Sequence, residues 1–455
     1  MTRAAARTAD ARERGTTDVD RIIVHGGTRL KGTVRVNGAK NAALPVMAAT
    51  LLPDGPCLIE DVPDVQDVRT LLQVLHALGV RHKSARRGEL QMEVTDPTST
   101  EPPRDLVTQM RGSVCVLGPL LARRGRARLA VPGGCKIGVR PIDLHLKGLR
   151  ALGASITVIE EGNEHGEVVA TAARLRGARL FLAGASGTTV LGTDNVMMAA
   201  TLAEGVTTIE AAACEPEVAD LARFLTEMGA SIEGAGTATV RITGVPALHG
   251  ARHRIIPDRI EAATFMVAAA ITRGDVTLEN VRLDHLAAVV DVLRKAGVQI
   301  TPLGDDACRV IGPDTLKPVD VAASPYPGFP TDVQAQLLAL LCLADGTSTV
   351  TDTVFPQRFT NVPMLQQMGA ALQQEGPSVT LRGVRALRGA SVDGPDLRAS
   401  ASLVLAGLAA QGTTELLDAR ELDRGYERIE ERLRALGADI QRVPVPQESP
   451  VLAFA

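Results

Sequence analysis

Apolar and polar positions along the chain repeat on two scales. Apolar helix-like stretches such as NVMMAATLAEG alternate with short segments such as VTTIEA, DVTLEN, TSTVTD and TTELLD, whose two-residue alternation predicts strands with one buried face. The longer scale appears in LHALGVRH, LRALGASI, LTEMGASI, LRKAGVQI, LQQMGAAL and LRALGADI, which end helices at Gly79, Gly153, Gly229, Gly297, Gly369 and Gly437. Their separations of 74, 76, 68, 72 and 68 residues define six units of about 70 residues, too long for short helical solenoid repeats. A second glycine recurs within each unit, at Gly55, Gly125, Gly205, Gly274, Gly346 and Gly412, and suits a helix C′ position. Each unit therefore reads as helix, glycine, strand, connection, helix, glycine, strand. The expected fold class is α/β.

The spacing from inner to outer glycine is 23 to 25 residues in five units and 28 in the second. The surplus lies in VPGGCKIGVRPIDLH, an enlarged loop with a Gly133-Gly134 pair, which is either a tolerated surface insertion or a place where function concentrates.

Composition narrows the classes. The 455 residues allow two to four domains with sizeable cores, and 49 basic against 52 acidic residues leave a formal charge of −3. No basic field draws such a chain to nucleic acid or an anionic membrane, and with seven Phe, two Tyr and no Trp there is little on which bases could stack. The longest apolar runs, such as Leu337 to Ala344, fall short of the roughly 18 residues a membrane span needs. Six cysteines without CxxC spacing argue against a zinc site or a disulfide framework and point to reduced thiols in the cytoplasm. Residues 1–20 lack an apolar block and carry too many acids for a transit peptide, so they read as a disordered tail.

Candidate chemistry sits at helix starts. Fourteen to sixteen residues before each inner glycine stand Lys40, Arg111, Val190, Asp258, Asp332, and both Asp396 and Arg398. The second helices begin near Arg140, Glu215, Arg358 and Arg424. Cations at helix N-termini make anion sites, because free N–H groups and the helix dipole add to their charge. Acids there are ordinarily caps or dipole partners, so spacing alone does not make Asp258, Asp332 or Asp396 catalytic. Cys135, between two glycines and Lys136 with Arg140 nearby, is either an inert loop thiol or a nucleophile or general acid. The other five cysteines read as packing residues, and His145 alone reads as a surface or capping residue.

Seven separated motifs then carry a resemblance: NGAKNAALP, MRGSVCVLGPL, PGGCKIGVRPIDLH, PDRIEAATF, FPTDVQAQ, DLRASASLVLAG and DRGYERIEERLRALGA. In this order they resemble the UDP-N-acetylglucosamine 1-carboxyvinyltransferases, enolpyruvyl transferases of peptidoglycan synthesis, over nearly all the chain after Asp20. The resemblance implies a two-domain inside-out α/β barrel built from six repeats. It also implies addition of the enolpyruvyl group of phosphoenolpyruvate to the 3-hydroxyl of UDP-N-acetylglucosamine, followed by elimination of phosphate, without a metal or organic cofactor. By motif match Lys40, Arg140 and Arg424 would hold phosphoenolpyruvate, supported by Arg111 and Arg358. Cys135 would be the acid of the loop and Asp332 would take the hydroxyl proton, with Asp396 a second acid near the reacting carbons. Asn41, Asp332 and Val354 would contact the sugar; Arg140, Pro141, Ile142, Asp143, Leu144 and His145 would line the uridine side; Thr189 and Val190 would lie at the nucleotide phosphates. The Gly133-Gly134 loop would close over the site.

The chain departs from the family at Leu191 and Gly187 on the nucleotide edge, at Cys214 before Glu-Pro-Glu, and at Glu421, where histidine is common. An alternative acceptor is therefore another uridine nucleotide such as UMP, as in a paralogue of antibiotic biosynthesis; a non-catalytic phosphosugar sensor is disfavoured by the intact cationic positions. The expected organisation is residues 41–256 as domain I and 21–40 plus 257–455 as domain II, three repeats each, in a monomer.

Overall fold

A helix that is apolar on every side has no face to offer water, so it is driven to the middle of its layer. The helix Arg259–Ile271 is buried at every position, and Thr331–Leu341 and Leu397–Ala409 are buried nearly throughout; the three pack on one another. In the other half Lys40–Ala49, Leu117–Arg124 and Val190–Ala200 pack together with the short 3-10 turn Arg111–Val116. Truncating a side chain such as Leu337, fully buried here, to alanine would cost about 2–5 kcal/mol. The computed structural model describes residues 20–84, 86–133, 141–161, 164–185 and 187–444. The tail up to residue 19, Gly134, Cys135, Lys136 and Arg140 lie outside the described residues.

Among the described residues the strands form five four-stranded sheets, one three-stranded sheet and a two-residue pair. The sheet of Asp275–Glu279 is typical. It pairs antiparallel with Ala307–Ile311, Val276 opposite Val310, and parallel with Lys31–Arg35, Val276 opposite Gly32. Alternate residues Val276 and Leu278 are buried, as the two-residue period predicts. The chain start joins the C-terminal half: Arg21–His25 pairs antiparallel with Thr413–Leu416 and Asp439–Val443.

All six outer glycines adopt φ between 81° and 98°, a left-handed backbone that favours glycine. Gly79 follows the amphipathic helix Gln66–Ala77 and Gly229 follows Pro216–Glu227, each as expected of a C′ residue. The inner set needs correction. Gly125 does cap Leu117–Arg124, but Gly55 lies several residues past the helix end at Ala49, in the turn into the next strand. At Gly274 the left-handed position is taken by Arg273 instead, and glycine is required because a Cβ would meet the Leu30 carbonyl oxygen at 2.4 Å.

Two separate apolar cores result. One gathers side chains from Ala39 to Ile256; the other joins Ile22 to Val36 with Ile260 to Ile440. The chain crosses between them twice, side by side: Ala39 N–H donates to the Ile256 carbonyl at 2.7 Å and Asp258 N–H to the Asn37 carbonyl at 2.8 Å. Gly38 lies in this crossing, where a Cβ would meet the Asp61 carbonyl oxygen at 1.8 Å. Among the described residues no helix is long and apolar enough to cross a membrane.

Candidate active site

The crossing delivers Lys40 as the first residue of its helix, with its backbone N–H on Asp258 Oδ2 at 3.1 Å. Its ammonium donates to Asp67 Oδ2 at 2.9 Å, and Asp67 Oδ1 receives Arg424 Nε at 3.1 Å. Lys40 and Arg424, 384 positions apart in the sequence, thus meet on one carboxylate. Burial would push the Asp67 carboxyl up, but Lys40 and Arg424 prevail and hold it below the usual carboxylate range. Arg424 Nη1 also donates to Glu421 Oε2 at 2.9 Å.

Asp332 is the second residue of Thr331–Leu341 and not its cap. Its Oδ1 faces Arg358 Nη2 at 2.7 Å, and its Oδ2 receives Arg398 Nη2 and, from the other half, Asn41 Nδ2, both at 3.4 Å. Burial opposes its ionisation, yet the Arg398 and Arg358 guanidiniums, with Lys40 behind them, hold it far below the ordinary range. Its ionised form, a hydrogen-bond acceptor, is the one these partners favour. Arg398 is in turn held by the fully buried Tyr426, whose hydroxyl lies 3.1 Å from Arg398 Nη1, 2.9 Å from Thr264 Oγ1 and 3.2 Å from Gln336 Nε2.

Asp258 and Asp396 are caps, as acids at helix starts ordinarily are. Asp258 Oδ1 accepts from the N–H groups of Ile260 and Glu261 at 2.8 and 3.0 Å. Asp396 Oδ1 accepts from the N–H groups of Arg398 and Ala399, and its Oδ2 from Thr360 Oγ1 at 2.5 Å. The cap of Asp396 thereby orients the start of the helix that carries Arg398.

Arg111 grips both borders of the enlarged loop: its guanidinium donates to the carbonyls of Pro132 at 3.5 Å and Pro141 at 2.8 Å. Gly133 is present for a close approach, since a Cβ there would meet the Thr108 carbonyl oxygen at 2.4 Å. Beyond the loop Ile142 is buried, Asp143 opens the helix Asp143–Ala151, and Leu144 packs on the first core. His145 is neither a surface residue nor a cap: it is 3% exposed, with Nδ1 3.0 Å from Asn195 Nδ2, because its helix turns that face onto Val190–Ala200. Thr189 caps that helix, accepting from the Gly192 N–H at 3.2 Å, and Val190 and Leu191 pack against the core. Val354 N–H donates to Asp352 Oδ1 at 2.9 Å.

Deeper in the first half, Asp194 is fully buried, and among the described residues its Oδ1 has no hydrogen-bond partner. Burial, then Glu215 and Glu217, push its carboxyl well above the ordinary range, while Glu217 is paired with Arg259 across the crossing at 2.9 Å. Among the described residues no group of three or more His, Cys, Asp or Glu is placed to hold a metal ion. Burial pushes the thiols of Cys308 and Cys342 up to about 11 and about 12; with Cys57 and Cys115 they are packing residues, whereas Cys214 is half-buried.

Sequence reasoning overlooked Asp67 and Tyr426. A signal for Asp67 existed: it stands twelve residues after Gly55, the offset that places Arg358 after Gly346 and Arg424 after Gly412. Tyr426 carries no such mark, since its role depends on three partners remote in sequence.

A family model described as EPSP synthase (3-phosphoshikimate 1-carboxyvinyltransferase) matches residues 24–433. The UDP-N-acetylglucosamine 1-carboxyvinyltransferase of Anaeromyxobacter sp. strain Fw109-5 is 52% identical over 93% of this chain and 99% of its own. That of Geobacter metallireducens is 51% identical over 93% of this chain and 100% of its own. Among solved structures, the enolpyruvyl transferase NikO from Streptomyces tendae superimposes with a TM-score of 0.84 at 27% identity, covering 94% of this chain and 100% of that one. EPSP synthase from Acinetobacter baumannii shares the fold, with a TM-score of 0.71 at 20% identity, covering 93% of this chain and all of its own. With relatives more than half identical along nearly their whole length, the chain belongs to the UDP-N-acetylglucosamine 1-carboxyvinyltransferase family.

Proposed function

We propose that this chain transfers the enolpyruvyl group of phosphoenolpyruvate to the 3-hydroxyl of UDP-N-acetylglucosamine with release of phosphate, the first committed step of peptidoglycan synthesis. The observation that carries the reading is Asp332, kept ionised by Arg358 and Arg398 and touched by Asn41 from the opposite half. A carboxylate so placed between the halves accepts a hydroxyl proton, provided a substrate brings that hydroxyl within hydrogen-bond reach.

In this reading Lys40, Arg140 and Arg424 bind the anionic groups of phosphoenolpyruvate, with Arg111 and Arg358 supporting its charge. The sugar oxygen attacks C2 of the enol while C3 gains a proton, for which Cys135 is the acid. The resulting ketal then loses a C3 proton and phosphate, with Asp396 beside the reacting carbons. Asn41 and Val354 hold the sugar, residues 140–145 the uridine, and Thr189 and Val190 the diphosphate end. Arg111, bonded to both stems of the loop, transmits loop position to the site and reaches phosphoenolpyruvate on closure. Leu191 packs against the core, which supports a nucleotide edge that accommodates the change from glycine.

We further infer two domains, residues 41–256 and residues 21–40 with 257–455, each an inside-out barrel of three repeats. Two separate apolar cores and buried central helices walled by sheets support this division. A cytoplasmic monomer completes the reading.

The test is phosphate release from phosphoenolpyruvate with UDP-N-acetylglucosamine, with UMP and with no acceptor, for wild type and Asp332→Ala. Release with the sugar nucleotide that falls by about 10²- to 10⁴-fold in the variant is the expected outcome. Release with UMP alone would overturn the acceptor and keep the reaction type.

A further inference from the structure

Arg424 stands between two acids that are not equivalent. Asp67 has a side chain 8% exposed, is also bound by Lys40, and belongs to the opposite half of the chain. Glu421 is 23% exposed and lies three residues before Arg424, in the short helix Arg420–Asp423. Asp67 cannot leave without stranding a buried ammonium and itself, whereas Glu421 needs only a rotamer change to reach water.

Charge makes that difference consequential. Lys40 and Arg424 carry two positive charges and Asp67 and Glu421 two negative ones, so this part of the site is neutral as it stands. A phosphorylated carboxylate is multiply anionic and needs donors that are free. Nε of Arg424 is committed to Asp67, which fixes the guanidinium plane; Nη1 is the donor shared with Glu421. Resting on the reading that phosphoenolpyruvate binds here, we propose that Glu421 is a positioning residue that occupies Arg424 in the empty site and competes with phosphoenolpyruvate for it. On binding, the Nη1–H bond passes from Glu421 Oε2 to a substrate oxygen, Glu421 turns to solvent, and the Asp67 anchor stays. Glu421 thereby sets the affinity for phosphoenolpyruvate without touching it.

The experiment is titration calorimetry of phosphoenolpyruvate into the full chain without acceptor, for wild type, Glu421→Gln, Arg424→Gln and the double variant, alongside KM and kcat. An ion pair with this exposure corresponds to about two- to fivefold in an equilibrium constant. Glu421→Gln should therefore tighten Kd and lower KM for phosphoenolpyruvate by about that factor, with the change in KM and not in kcat. In the Arg424→Gln background the gain should vanish, as a coupling through that guanidinium requires. Unchanged or weaker binding in Glu421→Gln would overturn the inference, and so would a gain that persists without Arg424. Wild type that neither binds phosphoenolpyruvate nor releases phosphate from it with UDP-N-acetylglucosamine present would instead refute the reading beneath it, an outcome seen before any variant is compared.

Discussion

Asp332 and Asp194 are the same residue type near the starts of buried helices in opposite halves, and the protein shifts their ionisation in opposite directions. Asp332 has Arg358 and Arg398 against its two oxygens and is held ionised. Asp194 is buried beside Glu215 and Glu217 and is pushed toward the neutral acid. Burial acts in the same direction on both. What differs is the sign of the neighbouring charge, which favours the ionised form of one carboxylate and the neutral form of the other.

Arg398 is the place to break the comparison hardest. Arg398→Ala leaves Asp332 with one guanidinium and Tyr426 without its ionic partner, and losing one member of a buried pair costs about 3–5 kcal/mol. A large fall in the denaturant midpoint together with loss of phosphate release is expected; a midpoint near wild type would show that Arg358 alone suffices. Tyr426→Phe is milder, because it removes only the hydroxyl that Arg398, Thr264 and Gln336 share. The loss should be about 1–3 kcal/mol by the same measurement, with kcat falling more than KM for either substrate.

Asp194→Asn sharpens the contrast through pH. The folded pKa of Asp194 lies above the unfolded value of about 3.9, so its contribution is complete below that value and is lost as pH rises toward the folded one. Asp332 behaves oppositely, its contribution being complete above the unfolded value and lost as pH falls from there through its depressed folded one. The Asn variant should lie within about 1 kcal/mol of wild type at pH 5 and gain on it progressively by pH 8, read as thermal midpoints. A difference independent of pH would mean that Asp194 is ionised in the folded protein.

Much of the fold was legible because it is written locally. Buried strands alternate with a period of two, apolar helices need no solvent face, and Gly79, Gly153, Gly229, Gly297, Gly369 and Gly437 mark the turns where φ is positive. The helix starts were legible too: Lys40, Arg111 and Val190 open their segments, and Asp258 and Asp396 cap theirs. The site was less so. His145 has a polar side chain that reads as surface, yet its helix packs inward and Asn195 satisfies it. Gly274 sits on the period of the inner glycines, yet it serves a close approach to Leu30 while Arg273 takes the turn.

The amino-acid sequence by itself determined the mixed α/β class, the backbone turns at the outer glycines and the inventory of charges at helix starts, because each of these depends on residues within a few turns of one another. Only the tertiary structure decided which charges meet. Lys40 and Arg424 share Asp67, and Asn41 reaches Asp332 from 291 residues away. Electrostatic energy depends on distance through space and on burial, and neither is set by separation along the chain.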